Sequence, residues 1–155
     1  PSHGLSLEAF QDVKEILDPE GLIVVNFNGF LEGKEGLPGR SLIKTLQEAG
    51  YTVKIFDTSA GNQTEEDRNL LYLAYLKEPN WDGADIHVRL AEGEHKIAEH
   101  LIDPTTIDLK DALVITDDLP VMEYINRHAA KSWRKSYLEN FTLKFKEEEG
   151  LPLVH

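Results

Sequence analysis

Cysteine is absent from the chain, which excludes disulfides, thiolate zinc sites and thiol catalysis while leaving the compartment open, because a cysteine-free chain tolerates any redox poise. Methionine occurs once, at Met122, and residue 1 is Pro1, so the sequence reads as a processed or excised piece. No run approaches the roughly 20 apolar residues that span a bilayer, and no signal peptide opens the chain. The expectation is a cytoplasmic, soluble piece, whatever its parent is attached to. Bases are scarce, with 16 Lys and Arg against 28 Asp and Glu for a formal net charge of -12. The imbalance is uneven: residues 1–123 hold 24 acids and 10 bases, residues 124–155 hold 4 acids and 6 bases. Such a surface disfavours nucleic acid and anionic lipid and attracts small cationic molecules, although solubility alone also accounts for it.

What is present suffices for one core. A chain of 155 residues with 41% hydrophobic content fits a single domain with an extension. Ser6 is placed to cap a helix whose face carries Phe10, Val13, Ile16 and Leu17, with Glu8 in the first turn where the helix dipole favours an acid. Asp18 to Gly21 stops it. Leu22 to Phe27, LIVVNF, is apolar and β-branched without strict alternation, which predicts a strand covered on both faces, as in a parallel sheet. Asn28 to Gly39 has four glycines in twelve residues and reads as a mobile loop. Leu42, Ile43, Leu46 and Ala49 mark a short helix ended by Gly50. Strands are expected at Tyr51 to Asp57 and Asn69 to Leu76, with a polar loop through Asp67 between them. Trp81 to Leu90 reads as helix or irregular, Glu94 to Leu101 as helix, and Ala112 to Ile115 as a short strand. From Met122 through Ile125, Ala129, Trp133, Tyr137 and Phe141 the apolar spacing predicts one long amphipathic helix or two in sequence.

Three groups of residues invite a chemical reading. The glycine-rich stretch after Asn28 lies between a strand and a helix, where backbone N–H groups can cradle a phosphate, but its spacing fits neither dinucleotide nor P-loop patterns and a simple connection is favoured. His95, Glu99 and His100 lack the two histidines one helical turn apart that a metalloprotease-type zinc site needs, which favours a solvated helix face. Asp117 and Asp118 follow an apolar run and precede a helix. Asp118 is placed to cap that helix ahead of Pro120. Alternatively, Asp117, Asp118 and Glu123 crowd three carboxylates where an amine could be gripped.

Taken in order, these pieces resemble spermidine-synthase-like proteins. HGLSLEAFQDVKEILDPEGLIVVNFNG is similar to that family's helix carrying Glu and Phe, Pro-Gly turn and strand ending in Asn. GRSLIKTLQEAG, YTVKIFD and RNLLYLAYL resemble the helix and two strands that follow, and ALVITDDLPVMEYI resembles a Leu-Thr-Asp-Asp segment of a bacterial branch, some of whose members carry membrane helices. The resemblance covers residues 3–77 and 112–137. Glu20 departs from it, standing where the turn usually has glycine.

The resemblance implies an α/β fold: a partial Rossmann-like, methyltransferase-type sheet in residues 1–77 lacking its N-terminal cofactor-binding half, with a mainly helical C-terminal extension, residues 78–155, packed on it. The family's glycine-rich cradle for S-adenosylmethionine or its decarboxylated form, and the Asp that deprotonates the attacking amine, have no counterpart in this sequence. The implied role is the substrate side of an aminopropyltransferase- or methyltransferase-like cleft, inactive alone, with Ser2, His3, Asp117, Asp118 and Glu123 as contacts for a polyamine and with no catalytic residue, cofactor or metal held by this chain. A noncatalytic α/β binding module is the other reading, since fold does not fix function. In the intact fold Leu22 to Phe27 would be paired on both sides. An unpartnered edge there predicts self-association through that strand, or burial under the C-terminal segment.

Overall fold

Ser6 closes a 3-10 turn, Ser2–Leu5, and starts helix α1, Leu7–Ile16, by accepting from the Ala9 N–H at 3.2 Å through its buried hydroxyl. The computed structural model describes residues 2–57, 69–78, 87–90, 93–96 and 100–148, some of them, including Ser2, His3 and both strands within 87–96, by backbone alone. Phe10 is the buried anchor of α1, with Leu7 and Leu17 packed beside it. Ile16 departs from the expected apolar face and is 85% exposed. At the turn after α1, Asp18 accepts from the Glu20 and Gly21 N–H groups through its side chain and carbonyl respectively.

The architecture is α/β, with a four-stranded antiparallel sheet and helices. Strands β1, Leu22–Asn28, β2, Thr52–Asp57, β3, Asn69–Tyr75, and β6, Leu101–Ile102, lie in the order β1-β3-β2-β6. Strand β3 is central: Val25 and Ile55 both oppose Tyr72, and Ile23 and Val53 both oppose Ala74. Strands β4, His87–Leu90, and β5, Gly93–Lys96, form a separate hairpin. Helix α2, Leu37–Glu48, connects β1 to β2. On one face of the sheet Ile23, Val25, Phe27, Leu70, Tyr72, Ala74, Val53 and Ile55 meet Phe10 of α1 and Leu42, Ile43 and Leu46 of α2 in a single cluster. Helix α2 ends at Gly50, whose φ of 90° permits bonds from the Gly50 and Tyr51 N–H groups to the Gln47 and Leu46 carbonyls, the Schellman closure.

Several expectations need correction. The LIVVNF run does not sit inside a parallel sheet: β1 pairs antiparallel, with β3 alone among the described residues. It alternates between half-buried Ile23, Val25 and Phe27 and exposed Leu22, Val24 and Asn26. Apolar residues on both faces of a strand record what it can bury, not what it has buried. Gly93–Lys96 is strand, not helix, and His87–Leu90 is strand as well. Ala112 to Ile115 joins no strand ladder. Helix α2 begins at Leu37, inside the expected loop, because Pro38 suits a first turn. The expected C-terminal helix is two helices, α3, Met122–Ile125, and α4, Arg127–Glu148. The described part of α4 meets the loop after β1 through the Ser132 hydroxyl, which donates to the Glu35 carboxylate at 2.8 Å. The expected polar loop to Asp67 lies outside the described residues. No helix among the described residues is long and apolar enough to cross a membrane.

The missing ladder of residues 111–115 is replaced by side chains of α2. Arg40 holds Asp111, the Lys44 ammonium donates to the Ala112 carbonyl at 2.7 Å, and the Leu113 N–H donates to the Ser41 hydroxyl at 3.1 Å. The Ile115 N–H donates to the Thr45 hydroxyl at 3.0 Å, and that hydroxyl donates to the Ser41 carbonyl at 2.7 Å. The segment is a strap over α2. Two substitutions test the polar accounting of this core. Thr45→Val orphans the buried Ile115 N–H and should cost about 1–3 kcal/mol in denaturant unfolding. Tyr72, fully buried, has a hydroxyl with no hydrogen-bond partner among the described residues, so Tyr72→Phe removes an unmet desolvation cost and should be neutral or raise stability by about 1 kcal/mol. Burial also pushes the Tyr72 phenol far up from its ordinary value.

Candidate functional site

Two regions carry chemistry, one at each end of the strap. At the first, the strap reaches α1. The Leu7 N–H donates to the Ile115 carbonyl at 2.7 Å, and the Glu8 carboxylate accepts from the Asp117 N–H at 2.9 Å. Helix α3, which carries Glu123, packs against the Ser2–Leu5 turn and against α2. Backbone elements bearing all five residues expected at the site, Ser2, His3, Asp117, Asp118 and Glu123, are thereby gathered around the start of α1. The side chains of Ser2 and His3 lie outside what is described; Asp117, Asp118 and Glu123 are exposed.

Asp118 does not cap a helix. The turn before Pro120 is closed by Thr116, whose hydroxyl and carbonyl accept from the Leu119 N–H at 3.1 and 3.0 Å. Helix α3 starts only at Met122, with Val121 before it and no side-chain cap. The signal for Thr116 was in the sequence, since threonine caps by the same chemistry as aspartate. It is Thr116, not Asp118, that stands three residues before the N–H to be satisfied. Freed of that duty, Asp118 faces solvent beside Asp117, and Glu8 adds a fourth carboxylate that sequence spacing did not reveal. Among the described residues no group of three or more His, Asp or Glu side chains is placed to hold a metal ion. The His95, Glu99, His100 group is not a helical site, because His95 lies on β5; Glu99 lies outside the described residues.

The second region is an open cleft of about 570 Å³ at the far end of the strap. Leu31, Ile102 and Ile107 give it an apolar wall, and Arg40, Asp111 and Lys110 a charged one. Arg40 is 6% exposed and fully engaged: Nε and Nη2 donate to the two Asp111 oxygens at 3.0 and 2.6 Å, and Nη1 donates to the Leu31 carbonyl at 2.6 Å. The bidentate geometry is the strong form of this pair. Gly36 allows it, because a Cβ there would stand 2.4 Å from the Leu31 oxygen and 2.5 Å from Nη1. The guanidinium beside Asp111 holds its carboxyl below the usual aspartate range. The Asn28 to Gly39 loop, read as mobile, is therefore pinned at Leu31. No residue expected at the site lines this cleft.

Comparison with family models, with curated proteins and with solved structures finds no match to the chain. The reading of the site rests on its own geometry.

The Arg40 pair gives a pH signature. Asp111 has a depressed folded-state pKa, so its contribution is fully present above the unfolded aspartate value of about 3.9 and is lost as pH falls through the lower folded value. Unfolding measured from neutral pH down to about pH 2 should show that loss in the wild type and a flatter profile in Asp111→Asn. Arg40→Leu also orphans the Leu31 carbonyl, a cost of about 1–3 kcal/mol by itself at neutral pH.

Proposed function

We propose that this chain is the C-terminal part of a spermidine-synthase-like transferase and supplies the amine-binding side of its cleft. The observation that carries the reading is the joining of two stretches that resemble the family but stand far apart in sequence, residues 3–77 and 112–137, at the start of α1, through the Leu7 to Ile115 bond and the packing of α3 on the Ser2–Leu5 turn. The sheet supports it too. Strands β1 and β2 each run antiparallel to β3 and hence in the same direction as each other, joined by α2 with β3 between them, a split strand-helix-strand arrangement within an α/β sheet.

The chemistry assigned to this side is binding and orientation. Asp117, Asp118 and Glu123 present exposed carboxylates in a chain of net charge -12, which draws in a polyamine and holds its charged nitrogens at modest, salt-screened strength. Aminopropyl transfer further needs one neutral amine, a base for its proton and a sulfonium donor held in line. S-adenosylmethionine or its decarboxylated form would be bound by other parts of the parent, so the piece binds amine without turnover.

Calorimetry with spermidine, putrescine and S-adenosylmethionine tests this. Spermidine should bind more tightly than putrescine, weaken as salt rises and lose at least several-fold in affinity in the Asp117→Asn, Asp118→Asn double variant, while S-adenosylmethionine gives no heat. Silence from both amines would leave the chain a noncatalytic α/β interaction module instead.

A further inference from the structure

The two margins of the sheet are treated differently. At one, β2 is covered by β6 opposite Ile55 and Phe56, and Lys54 beside them pairs with Glu78 at 2.6 Å. At the other, β1 has a single neighbour among the described residues. Natural edges are blunted by charge, proline, a bulge or brevity. Strand β1 has none of these: it is seven residues long, pairs with β3 without interruption, and reads LIVVNFN. Its outward face leaves Val24 54% and Leu22 39% exposed, and Ile23, Val25 and Phe27 on the core face are only half-buried. A strand laid along this edge would cover apolar groups on both faces at once.

We propose that the edge is closed by β1 of a second copy of this chain, paired antiparallel across a two-fold axis at Val25 to make one continuous sheet. Two features choose that occupant. The sequence from Gly21 to Leu31 contains no charged residue, so two bodies that each carry -12 meet at a neutral strip. Centring on Val25 also keeps each face with its like: Ile23 falls opposite Phe27 of the second copy and Val25 opposite itself, the aromatic and β-branched pairings that stabilise ladders, while Val24 falls opposite Asn26 on the outward face. The interface is isologous, so it closes at two copies. The inference rests on the sheet topology of this chain and stands apart from the proposed function, in whose intact fold another strand of the parent would take this edge; its test involves no ligand.

Sedimentation equilibrium of the full chain from about 10 μM to about 1 mM covers the range expected of a small interface. The wild type should pass from monomer to dimer, more readily at high salt because the like-charged bodies are then screened. Val24→Lys, at an exposed position, should keep its circular dichroism and weaken association at least tenfold; Asn26→Lys, on the same exposed row, serves as the second variant. Mixing Val24→Lys with Asn26→Glu should restore a one-to-one dimer, because this register sets the new charges against each other. A wild type monomeric at about 1 mM, dimers unaffected by either lysine, association that weakens with salt, or a mixture that does not pair would each overturn the proposal.

Discussion

The strap from Asp111 to Ile115 is fixed by side chains of one helix, and the rest of the arrangement depends on it. An extended segment inside a fold must place its N–H and C=O groups somewhere. Here they go to α2, where Arg40, Ser41, Lys44 and Thr45 form a polar row opposite the row of Leu42, Ile43, Leu46 and Ala49 that packs on the sheet. Helix α2 is buried on both sides as a result. Serine and threonine are acceptable in this helix interior because their hydroxyls accept from the Leu113 and Ile115 N–H groups, while the Thr45 hydroxyl also donates back to the Ser41 carbonyl of its own helix.

The strap also completes α1. A helix start leaves N–H groups without intrahelical partners; the Ile115 carbonyl takes that of Leu7, and the Ser6 hydroxyl and carbonyl take those of Ala9 and Phe10. The positive end of the α1 dipole and the Asp117 N–H lie where Glu8, Asp117 and Asp118 collect, which eases their mutual repulsion.

The sequence was legible where a residue's neighbours in the chain decide its state. Ser6 as a cap, Gly50 as a stop and the apolar row of α2 all followed from local spacing, and so did the existence of β1, β2 and β3. It was illegible where a distant segment decides. Nothing near Leu22 says that its strand lies at an edge, because the run has the same composition in either place. Nothing near Ala112 says that its partners are hydroxyls on a helix 70 residues earlier. Arg40 reads locally as one more surface cation and is instead buried against Leu31 and Asp111. Among the candidate acids, Asp118 was given a capping role that Thr116 takes. Two candidates of like chemistry, Thr116 and Asp118, stood two positions apart, and only the actual helix start separates them.

The geometry of the strap finally separates the two regions it joins. From Asp111 to Ile115 an extended chain covers about 13 Å, at about 3.3 Å per residue. Its anchors on α2, from Arg40 to Thr45, are five residue steps apart, or about 7.5 Å of helix rise. The strap therefore crosses α2 obliquely, carrying Asp111 to the cleft beside Leu31 and Ile115 to the start of α1. A change in the polar row of α2 acts on both ends at once, because it moves the strap. A change in the loop near Gly36 bears on the cleft, because Arg40 bonds both the Leu31 carbonyl and Asp111. The cleft and the carboxylates near α1 thus share one support, the strap.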